Sequence, residues 1–249
     1  MFKGTPQIGT KDYKVDLKII NEQERVRDAM RAEERKMREM WRKGEITDLQ
    51  DADQKTNKWK ELNEELKVLI EEHRKVIVKN EFDRIYTSNG GSRMNAYTSY
   101  DHTAYFIDVP SNKLELFMWM ESGRLLEPVL REFYTERDVV FEERRMRTES
   151  TPLGKFFESF NSLFWESHPY SWPIIGWPSD ISAISRKQID EFYATYYIPQ
   201  NLTLVLVGDF KSKAALSMAE KYFGRLKKGE GVVPDVVTLE QPQKAEKRF

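Results

Sequence analysis

The sequence predicts an α+β fold, in which one sheet carries helices mainly on one face and a long helical hairpin is inserted. Three observations predict it. Residues 13–80 are dominated by Glu, Arg, Lys, Met and Ala, which favour helices. Residues 94–109 are rich in Tyr, Thr, Phe, Ile and Val, which favour strands. Residues 202–208 form a short apolar run, which predicts a buried strand.

The segment 13–80 predicts two helices, over 13–44 and about 48–80, that form an antiparallel hairpin projecting from the domain. Apolar residues are sparse and recur every three to four positions, which predicts one narrow buried stripe on each helix. The turn between them contains Gly44, and Thr47 or Asp48 is the expected N-cap. The hairpin is either a surface for a specific partner or, more simply, a solvated structural insertion.

After residue 81 the pattern changes to short elements. Gly90-Gly91 marks a turn before strands predicted over 94–99 and 102–109. Further helices are expected, in order, over 111–124, 134–149, 152–166, 185–197 and 212–226. The aromatic residues of these segments are core candidates: Tyr97, Tyr105, Phe106, Phe117, Trp119, Phe156, Phe157, Phe160, Phe164 and Trp165.

Composition excludes some function classes. The 40 basic and 41 acidic side chains nearly cancel, so no basic field attracts nucleic acid. Cysteine is absent, which excludes disulfides and thiolate metal sites. No apolar run approaches the roughly 20 residues that span a bilayer, and no signal peptide is visible. The cytoplasm and the periplasm of a bacterium both fit this composition.

Four blocks of sequence carry a family resemblance. They are Met-Phe-Lys-Gly-Thr at 1–5, Asn-Ala-Tyr-Thr-Ser at 95–99, the segment 136–143 that begins and ends with Glu, and Tyr-Tyr-Ile-Pro-Gln-Asn at 196–201. In this order they resemble the pitrilysin/insulysin-like zinc metallopeptidases, which include bacterial zinc proteases similar to the mitochondrial processing peptidase. The hairpin at 13–80 is not covered by the resemblance.

The resemblance implies which parts of the domain this sequence holds. In that family a helix with the motif H-x-x-E-H runs directly into M-F-K-G-T, so we expect both zinc-binding histidines and the glutamate base to precede Met1. Residues 1–231 are then a peptidase-type domain without its first strands, its zinc helix and its catalytic base. Residues 232–249 resemble the linker toward a second homologous domain.

The resemblance also implies one metal ligand. A catalytic zinc needs three protein ligands and an open position for water. Glu143 corresponds to the third ligand, and Glu136 to a glutamate that supports a ligand. A separation of seven residues places both carboxylates on one face of a helix. Without the resemblance, the run 142–145 is most simply a solvated cluster of charges.

Asn95, Ala96, Tyr97 and Thr98 correspond to the strand that binds substrate in the family. An exposed strand edge offers N–H and C=O groups to an extended peptide, which then adds as a further strand. The simpler interpretation is that this segment is only a strand-forming stretch.

The three histidines do not replace the missing pair. His73 ends a Glu-His pair, but Leu69 occupies the position of the first ligand, and the segment lies in the hairpin. His102 is expected at the surface, and His168 in a loop before Pro169.

We therefore expect the intact protein to be a zinc-dependent endopeptidase that binds extended peptides or unfolded protein, and this chain to be inactive alone. Its expected partner is a second homologous domain or subunit. The alternative is a non-catalytic family member that binds peptides or pairs with an active subunit.

Overall fold

The computed structural model describes residues 4–49, 51–229, 231–246 and 248. Met1 to Lys3, which begin the first resemblance block, therefore lie outside the described residues. The chain divides into two compact units, Gly4–Phe82 and the described part of Asp83–Phe249.

The first unit contains two long helices, α1 (Tyr13–Arg42) and α2 (Asn57–Val76). Asp12 caps α1, because its carboxylate accepts the N–H groups of Lys14 and Val15. The helices pack along their apolar stripes, where Val26, Met30, Leu62 and Leu66 form a buried cluster. The Lys11 N–H donates to the Val76 carbonyl (2.9 Å), so the start of α1 lies beside the end of α2, as in an antiparallel hairpin.

The predicted start of the second helix was wrong. Thr56, and neither Thr47 nor Asp48, is the N-cap of α2. The reason is local: Gln54 Oε1 accepts the N–H groups of Thr47 (2.7 Å) and Asp48 (3.2 Å), which holds this segment in a loop.

The strands are β1 (Ser92–Thr98) and β2 (Thr103–Asp108), and the predicted α+β class is confirmed. The remaining helices are α3 (Glu81–Ser88), α4 (Leu114–Leu126), α5 (Phe133–Arg144), α6 (Pro152–Phe164), α7 (Pro178–Ala183), α8 (Arg186–Tyr196) and α9 (Ser212–Phe223). Two of them, α3 and α7, were not predicted from the sequence. Ser185 caps α8 through a capping box with Gln188.

The strand predicted over 202–208 is absent from the described structure. The segment is not paired with β1 or β2, and the side chains of Val205 and Val207 are 71% and 94% exposed. An apolar run becomes a buried strand only where a neighbouring strand accepts its backbone hydrogen bonds. No described strand takes that position beside it.

The prediction of an aromatic core was also wrong for most of its members. Phe117 and Trp165 are half-buried, whereas the other eight residues are exposed. The apolar face of α6 is the largest example: Leu153, Phe156, Phe157, Phe160, Leu163 and Phe164 are all more than a third exposed. In the described part of the chain, no helix has the length and apolarity needed to cross a membrane.

Candidate functional site

The hairpin of β1 and β2 sets the direction of the backbone groups in the predicted substrate strand. The Ser99 N–H donates to the His102 carbonyl (2.8 Å), which makes these residues a hydrogen-bonded pair. In antiparallel strands such pairs alternate with pairs that do not bond. The register pairs Ala96 with Tyr105 and Thr98 with Thr103, so both are non-bonded pairs. The backbone groups of Ala96 and Thr98 therefore point away from β2, toward the free edge of β1.

The Asn95 side chain covers one of these edge groups. Its Oδ1 accepts the Ala96 N–H at 2.8 Å. Asn95, Ala96, Tyr97 and Thr98 are all exposed. In the described structure the edge of β1 opposite β2 pairs with no strand. The four predicted substrate residues thus lie together on one accessible strand, with one donor capped by its neighbour.

The N-terminal end of β1 is bent. A bulge interrupts the register between Ser92 and Asn95, and Arg93 has a φ of 52°. Arg93 forms an ion pair with Asp108 on β2. Bulges re-aim the strand that carries them, so this one sets the direction in which Met94 to Thr98 run.

The tip of the hairpin is held by the loop that follows α6. The Tyr170 hydroxyl lies 2.7 Å from both carboxylate oxygens of Asp101, and its ring stacks on Tyr100. The hydrogen bond to Asp101 raises the pKa of the Tyr170 phenol. Ser99 Oγ lies 2.8 Å from His102 Nδ1, so His102 is a hydrogen-bonded surface residue of the turn.

Glu136 and Glu143 lie on α5, as the sequence predicts, and both are half-buried. Glu143 lies within the last turn, where its carboxylate pairs with Arg147 Nη1 at 2.8 Å. Glu136 lies two turns earlier. With a rise of 1.5 Å per residue, their Cα atoms are about 10 Å apart along the axis. The structure therefore places Glu136 in the first turn of α5 and Glu143 in its last turn.

The residue after Glu143 fixes the end of this helix. The buried Arg144 guanidinium makes two hydrogen bonds to the Glu158 carboxylate of α6 (2.6 and 2.8 Å) and one to the Gly176 carbonyl (2.9 Å). The helix then continues as a π-helical turn over Arg145–Glu149. The role of Arg144 was not predicted, because within the run 142–145 its side chain cannot be distinguished from a solvated charge.

A cavity of about 320 Å³ lies along another side of α5. Its lining residues are Arg137, Asp138, Phe141, Glu142, Ile181 and Ser182. Arg137 bridges it by donating to the Ser182 carbonyl at 2.9 Å. Glu142, and not Glu143, faces this cavity, so the two neighbouring carboxylates have different surroundings.

His73 has a structural partner in the hairpin unit. It is buried, and its Nε2 lies 2.7 Å from Oδ1 of the buried Asp16. His168 accepts the Tyr170 N–H at its Nδ1 (3.2 Å).

The described residues do not form a complete metal site. No three of their His, Asp or Glu side chains come together closely enough to hold an ion. A catalytic zinc needs three protein ligands. The donor set therefore does not fit zinc as it stands, and no chemical step through a metal follows from these residues alone.

Two family models match the chain. Residues 60–176 match the model described as Insulinase (Peptidase family M16), and residues 183–249 match the Peptidase M16 inactive domain. The zinc protease PqqE of Helicobacter pylori is 38% identical over 149 residues, which are 59% of this chain and 33% of that protein.

Solved structures agree with these matches. A protease from Helicobacter pylori superposes with a TM-score of 0.60 at 36% identity, over 62% of this chain and 38% of that one. The first half of the periplasmic protease PqqL from Escherichia coli superposes with a TM-score of 0.53 at 26% identity, over 62% and 36%.

These relatives belong to the class of proteases, and the ones whose names include a cofactor are zinc proteases. The chain belongs to the pitrilysin/insulinase-like metallopeptidase family, as the resemblance predicted. It spans about a third of the length of curated relatives that it matches.

Proposed function

We propose that this chain forms part of a zinc-dependent endopeptidase that binds extended peptides along the free edge of β1. The observation that carries the proposal is the outward direction of the Ala96 and Thr98 backbone groups on an accessible strand. A peptide in extended conformation pairs with such groups and gains affinity with little dependence on its sequence. Its first residue at this edge displaces Asn95 Oδ1 from the Ala96 N–H.

Glu143 contributes one zinc ligand in the intact protein, and Glu136 supports a ligand from two turns earlier on α5. Support comes from the spacing of these glutamates, from their shared helix, and from relatives named zinc proteases. When bound, zinc supplies an activated water molecule for peptide hydrolysis. On zinc binding, the ion replaces the Arg147 guanidinium as the partner of the Glu143 carboxylate.

The second homologous domain or subunit remains the proposed partner. It is supported by the share of the relatives that this chain covers, and by the superposition on the first half of PqqL.

The strand-edge proposal is tested by peptide binding to this chain. Ala96→Pro removes the outward N–H and leaves the hydrogen bonds to β2 in place, since Ala96 belongs to a non-bonded pair. We expect affinity for an unstructured peptide, measured by fluorescence anisotropy, to fall at least about tenfold, because the proline ring occupies the space through which a peptide strand approaches this edge.

Thr103→Pro is the matched control, because it removes an outward N–H from the other edge of the same hairpin. It should leave binding unchanged. Equal losses for both variants would show that the hairpin merely unfolded, and no loss for Ala96→Pro would refute binding along β1.

The metal proposal is tested in a protein in which an H-x-x-E-H motif has been restored upstream of Met1. Glu143→Gln should lower zinc affinity by orders of magnitude, because one of three protein ligands is lost. Glu136→Gln should cost about 10–100-fold, as outer supporting groups do. Glu142→Gln is the control and should bind zinc normally, since it points about 100° around the helix. Loss of zinc in Glu142→Gln alone would show that our register is off by one residue.

A non-catalytic family member is the second candidate. Two observations favour it: the described residues gather no three metal ligands, and residues 183–249 match a domain described as inactive. Translation of the reading frame upstream of Met1 separates the two candidates. An in-frame H-x-x-E-H supports the peptidase, and a degenerate segment supports the non-catalytic protein.

Incubation of this chain with zinc and a quenched fluorescent peptide library adds a second test. We expect no turnover, because the proposed base and histidine ligands are not among its residues. Chelator-sensitive turnover in contaminant-free protein would overturn that expectation.

A further inference from the structure

The loop after α6 surrounds a carboxylate with backbone donors. The N–H groups of Glu166 (2.9 Å), Ser167 (3.1 Å) and His168 (3.0 Å) all donate to the side chain of Glu240. Three successive N–H groups aimed at one point form a concave anion site of the kind called a nest. Each bond to an ionised acceptor is stronger than a bond between neutral groups.

The same loop also grips the residue before Glu240. Ser167 Oγ donates to the Leu239 carbonyl at 2.7 Å. Backbone and side-chain contacts thus fix two consecutive residues of the segment 232–246. This segment has no helix or strand, and the side chains of Val236, Val237 and Leu239 are at least 60% exposed. Apolar packing of these side chains therefore does not explain why this segment lies against the loop.

We propose that Glu166, Ser167 and His168 form a carboxylate-binding site whose ligand is Glu240 of the same chain. The site works as a latch. It ties a segment inside the inactive-domain match (183–249) to a loop inside the insulinase match (60–176), which otherwise are separate stretches of sequence. The chemistry it selects is a carboxylate, because all three backbone groups are donors and a carboxylate is acceptor-only.

The latch acts next to the hairpin tip. Tyr170, two residues beyond the nest, holds Asp101 and stacks on Tyr100. His168 also accepts the Tyr170 N–H. Release of Glu240 therefore loosens the loop that holds the turn between β1 and β2.

Amide hydrogen exchange by NMR on the full chain tests the latch. Glu240→Gln keeps the shape of the side chain but replaces one acceptor oxygen with a donor NH₂ group. We expect the amides of residues 166–168 to exchange about tenfold faster or more, as for loss of a charge-assisted hydrogen bond. Glu246→Gln is the matched control: it removes the same charge from the same segment, where Glu246 pairs with Arg248. It should leave these three amides unchanged.

Chemical rescue separates a carboxylate site from a general packing effect. In Glu240→Ala, sodium acetate should restore protection of the three amides, whereas sodium chloride at equal ionic strength should not. Unchanged exchange in Glu240→Gln, equal acceleration in Glu246→Gln, or absence of acetate-specific rescue would each overturn the proposal. Because the rescue is measured within one variant, a global loss of stability in that variant does not produce it.

Discussion

The two units of the molecule differ in how far the apolar faces of their helices are buried. In Gly4–Phe82 the stripes of α1 and α2 face each other, and Val26 and Leu62 are 0% and 3% exposed. In the second unit, α6 carries an equally regular stripe, yet Phe156 and Phe157 are 57% and 56% exposed. All three helices follow the same spacing rule, but only the stripes of α1 and α2 face another apolar surface in the described structure. Helical periodicity therefore identifies the face that seeks burial, but it does not show that burial is achieved within the chain.

The largest expected effect on stability lies in the buried interior of the helical hairpin formed by α1 and α2. Asp16→Ala leaves the buried His73 without the carboxylate at 2.7 Å and should lower the free energy of unfolding of the hairpin by about 3–5 kcal/mol, as for a broken buried pair. Hydrogen exchange of the α1 and α2 amides measures this. Glu22→Ala removes an exposed ion pair to Arg25 and should cost at most about 1 kcal/mol. Equal costs would contradict the view that the Asp16 pair is buried.

The next largest effect is expected when an apolar side chain between α1 and α2 is truncated. Leu62→Ala should destabilise the hairpin by about 2–5 kcal/mol, because it removes packed methyl groups and leaves a cavity. Val68→Ala changes an exposed side chain of the same helix and should alter stability by less than about 0.5 kcal/mol. Denaturation of the two variants, followed by exchange of hairpin amides, makes the comparison. A small effect of Leu62→Ala would mean that the stripes are not in contact.

Glycines give a sharper contrast within the second unit. A Cβ at Gly154 would lie 2.4 Å from the Arg147 carbonyl oxygen, so Gly154→Ala should destabilise this unit by about 1–3 kcal/mol. A Cβ at Gly123 of α4 meets nothing within 4 Å, so Gly123→Ala should stabilise the unit by about 0.4–1 kcal/mol. The midpoint temperature of thermal unfolding should fall for Gly154→Ala and rise for Gly123→Ala. Two shifts of the same sign would contradict the close approach of α6 to the π-helical turn.

The smallest effect on stability is expected at the exposed face of α6. Phe157→Ser should change the free energy of unfolding by less than about 0.5 kcal/mol. It should nevertheless reduce self-association, which large apolar patches promote. Sedimentation velocity of the parent and the variant measures this. Val15→Ser, at an exposed apolar position of α1, should leave association unchanged. If both variants lowered it equally, the α6 face would have no special role.

The sequence predicted well wherever the decisive contacts are local. The start of α1, the start of α8 after Ser185 and the two strands of the β-hairpin each depend on residues a few positions apart. The start of α2 was wrong because Gln54, seven residues from Thr47, closes the preceding loop. The strand at 202–208 and the aromatic core were wrong because burial needs partners that local pattern does not supply.

The same limit applies to the candidate site: its local motifs were predicted from the sequence, and its contacts between distant residues were not. Motif spacing placed Glu136 and Glu143 on one helix and the residues Asn95 to Thr98 on one strand, and their roles stay predictions. Arg144 and Glu240 were missed because their partners lie 14 and more than 70 residues away. No periodic signal in the sequence connects such pairs.

The Asn95 cap has a consequence for how this protein survives in a crowded solution. A strand edge that is open to peptides is also open to other strands, and unprotected edges template aggregation. At Ala96 the donor is already bonded to Oδ1 of its own neighbour, so an incoming strand gains only the difference between two similar hydrogen bonds. A strand that pairs only at Ala96 therefore gains little binding free energy. A segment long enough to pair at both Ala96 and Thr98 gains more, so the Asn95 amide favours the binding of longer extended segments.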